Sequence, residues 1–346
     1  MIEKCYSIHD IVKFKIISKN IGRRINVEYD NFEVEGIDNI DFVVYLGDFT
    51  PHNENCHFID QTYYLKENYF YCKDSYKFGK WKVQVSGLDA AETRINLSTN
   101  FIGTLAADMF ICAFVIDFFI RFKLERKGYS VIHASSMSKD NHAFMFPSQS
   151  GAGKTTTAIY LADKGYDYLG DDFIILRKGQ IFSYPTALNI FTYNLNPVIK
   201  RNLSRMERTL LKIKNAIYIV TAGKIKIFTK MNPKHIPGLK VIDKSNLKAV
   251  YLLAQGDKFE TNEAKIELIV SSILINQKLE SFPFLKYLLE YSYVFPNSSI
   301  AQFWKVCERN LKENLKCDVK FYYTRLPQNY NGEVFYKFRE AMECGN

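Results

Sequence analysis

The sequence has 346 residues, of which 47% are hydrophobic, 15% aromatic and 24% charged. This composition excludes a disordered tail, a collagen-like or low-complexity protein and a coiled coil. The formal net charge is +9, and a basic total raises the question of nucleic-acid or membrane binding.

Residues 1–100 are predicted to form a small β-rich accessory domain. Short runs rich in β-branched and aromatic residues are separated by turn residues, a pattern typical of strands. We expect strands at 11–18, 24–29, 41–47, 68–73 and 80–87.

Residues 101–126 form the most apolar stretch of the chain, long enough to span a membrane. Asp108 and Asp117 lie inside it, and carboxylates are costly in lipid. Their spacing of nine residues places them on opposite faces of a helix. The sequence therefore predicts a buried connecting helix that ends near Gly128, and no membrane span.

From residue 127 to residue 346, runs typical of strands alternate with runs typical of helices, which predicts an α/β domain. Strands are expected at 129–137, 142–147, 167–176, 179–184, 247–254 and 319–324. Helices are expected at 154–164, 263–276, 281–292, 297–316 and 332–343.

The seven cysteines are widely spaced, and the sequence contains no Cys-x-x-Cys pair. Neither a disulfide framework nor a zinc cluster is indicated. The first residues lack the charged-then-apolar pattern of a signal peptide. We therefore expect a cytoplasmic protein.

Residues 148–155 read Ser-Gln-Ser-Gly-Ala-Gly-Lys-Thr, between an expected strand and an expected helix. They match the phosphate-binding pattern G-x-x-x-x-G-K-[ST], with Ser148 in place of the first glycine. Gly151 and Gly153 would let the backbone amides turn towards phosphate oxygens, and Lys154 would add a positive charge. The expected nucleotide-binding residues are Ser148, Gln149, Ser150, Gly151, Ala152, Gly153, Lys154, Thr155 and Thr156.

Asp171 and Asp172 follow YDYLG at 166–170, shortly after the expected helix. One carboxylate could hold a metal ion beside Thr155 while the other accepts a proton from a substrate hydroxyl. His133 precedes Lys154 by 21 residues, and in a neighbouring strand it could orient Asp171. The alternatives are a solvated pair of turn aspartates and a histidine with a purely structural role.

Residues 132–176, from IHASSM through PSQSGAGKT to LGDDFIIL, resemble the catalytic domain of HPr kinase/phosphorylase, above all its relatives that phosphorylate lasso-peptide precursors. The resemblance lies in a strand histidine, the loop lysine 21 residues later and an Asp-Asp pair 17 residues beyond it. It continues weakly through residues 239–255. It implies an α/β fold with a P-loop kinase domain of the HPr kinase/phosphoenolpyruvate carboxykinase type, preceded by the β-rich N-terminal domain.

The same resemblance implies roles for individual residues. Asp171 would be the base for a substrate serine and His133 its partner. Asp172 and Thr155 would contact Mg²⁺, and Lys154 would hold the phosphates of ATP. The Gly-rich signature that the family associates with phosphorolysis is missing, and GLKVIDK at 238–244 is a poor match. A dedicated kinase is therefore expected, and family members often form homo-oligomers.

The expected function is thus an ATP- and Mg²⁺-dependent kinase acting on a serine of a peptide or small protein, with residues 1–100 recognising the substrate. Two alternatives remain. One is a nucleotide-gated binding protein without phosphoryl transfer, and the other is a kinase for a small-molecule hydroxyl.

The positive charge is concentrated in one segment. Residues 177–244 contain 14 lysines and arginines but only two acidic residues, Glu207 and Asp243. Lysine dominates and aromatic residues are few at 201–215, which favours diffuse attraction of an acidic peptide over nucleic-acid recognition. A solvated basic face without a partner is the alternative.

Overall fold

The computed structural model describes residues 1–60, 62–76, 79–100, 105–190, 205–220, 229–236, 238–280, 282–315, 318–327 and 332–344. The chain forms two compact units. The first comprises Met1–Gly128 and Lys278–Asn310, and the second comprises Tyr129–Gln277 and Leu311–Asn346. Helices and mixed β-sheets occur together, which confirms the predicted α/β class at this level.

The strands are named β1 to β20 in chain order. Those of the first unit are β1 Ile2–Ile8, β2 Val12–Ser18, β3 Glu33–Val34, β4 Phe42–Leu46, β5 His57–Ile59, β6 Tyr63–Lys66, β7 Tyr69–Tyr76, β8 Gly79–Ser86 and β9 Thr93–Thr99. Those of the second unit are β10 Ser130–Ile132, β11 Ala134–Lys139, β12 His142–Pro147, β13 Asp167–Gly170, β14 Ile174–Arg177, β15 Gln180–Phe182, β16 Leu188–Ile190, β17 Thr229–Met231, β18 Lys244–Gly256, β19 Glu260–Glu263 and β20 Lys320–Pro327.

The described α-helices are named α1 to α9. They are α1 Arg23–Tyr29, α2 Leu105–Phe110, α3 Asp117–Arg126, α4 Lys154–Asp163, α5 Arg205–Val220, α6 Ile266–Glu280, α7 Phe282–Val294, α8 Ser299–Asn314 and α9 Gly332–Cys344. A π-helical segment, Ile111–Ile116, joins α2 to α3. Short 3₁₀ turns occur at Asp30–Phe32 and Pro233–His235.

The first unit is built on a nine-stranded sheet in the order β3-β1-β2-β4-β9-β8-β7-β6-β5. Its core contains a ladder of aromatic rings on neighbouring strands, because aromatic side chains suit the pleated face of a sheet. Tyr6 stacks on Phe14, and Phe14 on Phe42, each pair with centroids 4.8 Å apart. Phe119 of α3 closes the ladder at 6.1 Å from Phe42.

The strand expected at 24–29 is wrong, because this segment is helix α1. Ile25 and Tyr29, four residues apart, are both fully buried on one face of that helix. The Tyr29 hydroxyl donates a hydrogen bond of 2.7 Å to Asp117 Oδ1. Contacts distant in sequence thus override the local preference of the β-branched residues for strand.

The apolar stretch is helical from residue 105 to residue 126, and residues 101–104 lie outside the described part. Nearly every side chain of α3 is buried, including Phe118, Phe119 and Phe122. Within the described ranges, no helix has both the length and the apolarity needed to cross a membrane.

The second unit is built on a mixed sheet in the order β10-β14-β15-β18-β12-β11-β13. β20 pairs in parallel with the second half of β18, and β12 also runs parallel to β18. The strand expected at 129–137 is divided at His133 into β10 and β11. Phe146 and Tyr251 of the sheet pack against Phe338 of α9 in the core.

Candidate functional site

Two strands of the second sheet end at the same edge. β12 and β13 lie on either side of β11, and both run antiparallel to it. Ala134, the first residue of β11, is opposite Pro147, the last residue of β12. Ser136 is opposite Gly170, the last residue of β13. The residues that follow β12 and β13 therefore lie at the edge where β11 begins, and sheets of α/β proteins bind ligands outside their carboxyl edge.

The residues brought to this edge are those that the sequence singled out. His133 precedes β11, the loop 148–153 follows β12, and Asp171 and Asp172 follow β13. Separations of 15 to 40 residues in sequence become neighbouring positions because β11 lies between the other two strands.

The loop 148–153 turns sharply into helix α4. Gly151 has φ +89° and Gly153, the residue before the helix, has φ +99°. Both angles lie in the left-handed region, where glycine is tolerated and a side chain is strained. Buried loop residues are Ser148 and Ala152, exposed ones are Gln149, Ser150 and Gly151, and intermediate ones are Gly153, Thr155 and Thr156.

The Lys154 side chain folds back over its own loop. Its ammonium donates to the backbone oxygen of Ser148 at 2.8 Å and to that of Gln149 at 3.4 Å. The residue is only 8% exposed. A buried cation at this position can attract an anionic ligand that enters the loop.

Asp171 is the most perturbed acid of the described site. It is 2% exposed, and its Oδ2 accepts a hydrogen bond of 2.7 Å from the Thr155 hydroxyl. Its Oδ1 is also buried and has no hydrogen-bond partner among the described residues. Burial and the charge of Asp172 raise the pKa of Asp171 from 3.8 to about 7, against the opposing effects of Thr155 and Lys154.

His133 and Asp172 lie beside this pair. The His133 ring, which is 9% exposed, packs against Phe173 with centroids 5.6 Å apart. Phe173 follows the two aspartates directly in the chain. The expected pairing of His133 with Asp171 stays a prediction. Asp172 is partly exposed, and its charge acts on Asp171.

Gly170 shows why the chain turns at this point. A Cβ atom on Gly170 would lie 2.5 Å from the backbone oxygen of Phe173, a distance that real Cβ atoms do not adopt. The absence of a side chain therefore allows β13 to end in a tight turn that directs Asp171 towards Thr155.

Two amide side chains that the sequence did not single out support the loop. Gln255, near the end of β18, donates from Nε2 to the backbone oxygen of Gly151 at 2.9 Å. Asn276 of α6, which is 6% exposed, donates from Nδ2 to the backbone oxygen of Ser148 at 3.0 Å. The position of Gln255 in a parallel strand next to β12 is a signal that could have identified it, whereas no local pattern marks Asn276.

The described donors fit a magnesium nucleotide. Thr155 offers a hydroxyl and Asp172 a carboxylate to the metal, while Asp171 keeps one carboxylate oxygen without a partner among the described residues. Hard oxygen donors of this kind, few in number and leaving room for water and phosphate, are those Mg²⁺ uses with nucleotides. In the described part of the chain no cluster of three His, Cys, Asp or Glu side chains forms a metal site of its own.

Only part of the basic segment 177–244 is described. Lys200, Arg201, Lys224 and Lys226 lie outside the described residues. The Arg177 guanidinium lies 4.3 Å from the centroid of the Tyr129 ring, and Lys240 forms an ion pair of 3.1 Å with Asp167. Three basic side chains of α5 are exposed, namely Arg205, Arg208 and Lys212. The role of this segment stays a prediction.

The sequence matches no protein-family model and no curated protein. Among solved structures, the chain is similar to the HPr(Ser) kinase/phosphatase from Coxiella burnetii, with 13% sequence identity and a TM-score of 0.22. The similarity covers 49% of this chain and 99% of that chain. These values describe a distant structural relation and assign neither an activity nor a substrate to this chain.

Proposed function

We propose that the protein is an ATP- and Mg²⁺-dependent kinase that transfers the γ-phosphoryl group to a serine hydroxyl of a peptide or small protein. One observation carries the proposal: Asp171, a buried carboxylate with a raised pKa, is joined by a 2.7 Å hydrogen bond to Thr155 of the glycine-rich loop. Perturbed acids next to a ligand-binding loop are typical of catalytic sites.

In this proposal Asp171 is the general base. A pKa of about 7 leaves a large fraction of the carboxylate ionised at neutral pH while keeping it a competent proton acceptor. The proton of the substrate hydroxyl would pass to Oδ1, because Oδ2 is engaged by Thr155. His133 would assist by orienting the carboxylate.

Lys154 and the loop would hold the phosphates. The positive φ angles of Gly151 and Gly153 would allow backbone amides to turn inward, and the amino end of α4 would add its positive dipole end. Thr155 and Asp172 would hold the metal. When bound, MgATP supplies the phosphoryl group and the metal neutralises charge on its oxygens.

The acceptor is proposed to be acidic, because a basic segment of the same unit follows the two aspartates in the chain. Residues 1–100 would contribute to substrate recognition, and the protein would act in the cytoplasm.

The test measures nucleotide binding and phosphoryl transfer separately. The full chain is incubated with Mg²⁺, γ-labelled ATP and serine-containing acidic peptides, including any encoded beside its gene. We expect Lys154→Ala and Asp171→Asn each to lower transfer at least about 100-fold, the scale of losing a catalytic acid, base or charge clamp. Asp163→Asn at the end of α4 is the matched control and should transfer like the wild type.

The outcomes separate the candidate functions. Transfer by Lys154→Ala and Asp171→Asn at the wild-type rate would refute the site. ATP binding by the wild type without transfer to any acceptor would favour the nucleotide-gated binding protein. Transfer to metabolites but to no peptide would favour a small-molecule kinase.

A further inference from the structure

The first unit carries a concave surface that the proposed chemistry does not use. A cavity of about 560 Å³ lies against β7, β8 and β9, and its lining includes Lys73, Ser75, Lys80 and Lys82. We call it the lysine groove. It consists entirely of residues of the first unit.

The sheet register places like charges opposite each other in the lysine groove. Lys73 of β7 is directly opposite Lys82 of β8, and Ser75 is opposite Lys80. Lys73 and Lys80 are therefore diagonal neighbours, about 7–8 Å apart at Cα. Like charges placed across a strand pair destabilise a sheet, so the arrangement favours an anion that lies between them.

Two acidic side chains lie at the groove, Asp48 beside it and Asp74 in its lining, and both already have partners. Asp48 forms an ion pair of 2.5 Å with Lys82, which lowers the pKa of its carboxyl group. Asp74 accepts hydrogen bonds from the Tyr287 hydroxyl and the Ser75 backbone amide. Within the described ranges, Lys73 and Lys80 have no ion-pair partner.

Lys82, one of the lysines that line the groove, is held in place before any ligand binds. The loop 48–56 crosses the sheet face, and the Lys82 ammonium donates to the backbone oxygen of Phe49 at 2.6 Å. The buried Gln84 side chain accepts from the backbone amide of His52 at 3.2 Å and from the Tyr69 hydroxyl at 3.1 Å. A lysine that is already ordered loses less conformational entropy when a ligand binds.

We propose that the lysine groove binds an acidic peptide segment in extended conformation, with Asp or Glu at alternate positions. Side chains at i and i+2 of an extended strand point the same way and are about 6.6 Å apart. That spacing is close to the separation of Lys73 and Lys80, and Ser75 and Ser98 add hydroxyl groups beside them.

A single-stranded nucleic acid is the less suitable occupant. Binding of unpaired bases uses exposed aromatic rings as stacking platforms. Two rings line the groove: Tyr71 is 5% exposed and is covered edge-on by Phe49, and Trp81 is only partly exposed and packs against Phe110. The groove therefore offers charge with little stacking surface.

The proposal goes beyond the kinase function and does not require it, because peptide binding is measured without nucleotide. The probe is a fluorescein-labelled peptide Gly-Glu-Thr-Glu-Thr-Glu-Gly, titrated with the full chain and followed by fluorescence anisotropy. The comparison peptide has Gln in place of every Glu. We expect the Glu peptide to bind at least about tenfold more tightly at low salt, with the difference shrinking at high salt.

Charge reversal locates the binding surface. The double variant Lys73→Glu/Lys80→Glu should lose at least about tenfold in affinity. The matched control Lys19→Glu/Lys305→Glu reverses two exposed lysines of the same unit and should keep wild-type affinity. Bound peptide should also protect Lys73 and Lys80, but not Lys19, from acetylation detected by mass spectrometry.

The proposal is overturned by equal binding of the two peptides, by no binding of either, or by equal losses in the two double variants. Tighter binding of an oligothymidylate than of the Glu peptide would overturn it in favour of a nucleic-acid surface. If the wild-type protein binds the Glu peptide in the groove but transfers no phosphoryl group, the proposed kinase function is refuted and the proposed peptide binding stands.

Discussion

Each compact unit buries a carboxylate, Glu125 in the first and Asp171 in the second, and the groups around the two differ in kind. Glu125 is 1% exposed, and its Oε2 accepts a hydrogen bond of 2.8 Å from Asn310. The buried guanidinium of Arg121 lies one helical turn away, and the charge of Glu125 opposes the lowering of the Arg121 pKa by burial. This carboxylate has a cation and an amide as neighbours, as a structural acid does.

The surroundings of Asp171 stabilise its negative charge less well, although Lys154 acts on it. A second carboxylate, Asp172, follows it, and its one hydrogen-bond donor among the described residues is the hydroxyl of Thr155. An ionised carboxylate at this site lowers the stability of the folded protein, because burial and the neighbouring negative charge both oppose its ionisation. The comparison teaches that burial alone does not distinguish a structural acid from Asp171, which we propose as the catalytic base. What distinguishes Asp171 is the lack of an adequate counter-charge.

One large effect predicted from this comparison is on the structural acid. Glu125→Gln keeps the shape of the side chain but removes a counter-charge of buried Arg121. We expect a loss of about 3 kcal/mol in the free energy of unfolding, the lower end for breaking a buried pair, because Asp117 and Glu280 also act on Arg121. Urea denaturation of the wild type and of Glu125→Gln measures this loss.

The control for this change is Glu67→Gln, which neutralises an exposed acid of the same unit. It should change the unfolding free energy by less than about 0.5 kcal/mol. Equal effects of Glu67→Gln and Glu125→Gln would show that Glu125 has no special structural role.

The functional acid should respond in the opposite direction. Because the pKa of Asp171 is raised on folding, the folded protein binds this proton more tightly than the unfolded chain does. Its stabilising contribution is fully present below pH 3.8 and is lost as the pH rises to about 7. Asp171→Asn removes this dependence, so the variant should gain about 2–4 kcal/mol relative to the wild type across that window.

Urea denaturation of both proteins at a series of pH values within this window measures the gain. A wild-type protein and an Asp171→Asn variant that differ by the same amount at every pH would contradict the raised pKa. If the variant also lacks transfer activity, the acid is needed for chemistry and not for folding, which is the reverse of the expectation for Glu125.

The two buried acids also show how far sequence reasoning extends. The loop 148–153 and the Asp171–Asp172 pair were identifiable because each stands next to a strand within a short stretch of chain. Glu125 was not singled out, because its partner Asn310 lies 185 residues away. For the same reason, sequence reasoning did not identify Gln255 and Asn276, whose hydrogen bonds to the loop span 104 and 128 residues.

The fold was predictable to a similar degree. Helix α4 and strand β12 match their expected positions closely, because glycine and proline mark their ends. The strand prediction for 24–29 was wrong because the structure of this segment is decided by the burial of Ile25 and Tyr29 against other parts of the first unit. No local pattern indicates that Lys278–Asn310 belongs to the first unit. The expected domain boundary at residue 127 was placed only where the pattern of strand-like and helix-like runs changes.

The smallest predicted effect concerns Gln255, an uncharged side chain that is hydrogen-bonded to the loop 148–153. Gln255→Ala removes one exposed hydrogen bond, to the backbone oxygen of Gly151, and frees the loop to adopt other conformations. The net contribution of a hydrogen bond is about 1 kcal/mol, so we expect the KM for ATP to rise about three- to fivefold with little change in kcat.

Gln302→Ala is the matched control, because Gln302 donates an equally exposed bond of 3.1 Å to the backbone oxygen of Pro296. Equal KM values for the two variants would mean that Gln255 has no part in holding the loop for phosphate. A fall in kcat with unchanged KM would instead place Gln255 in the transfer step itself.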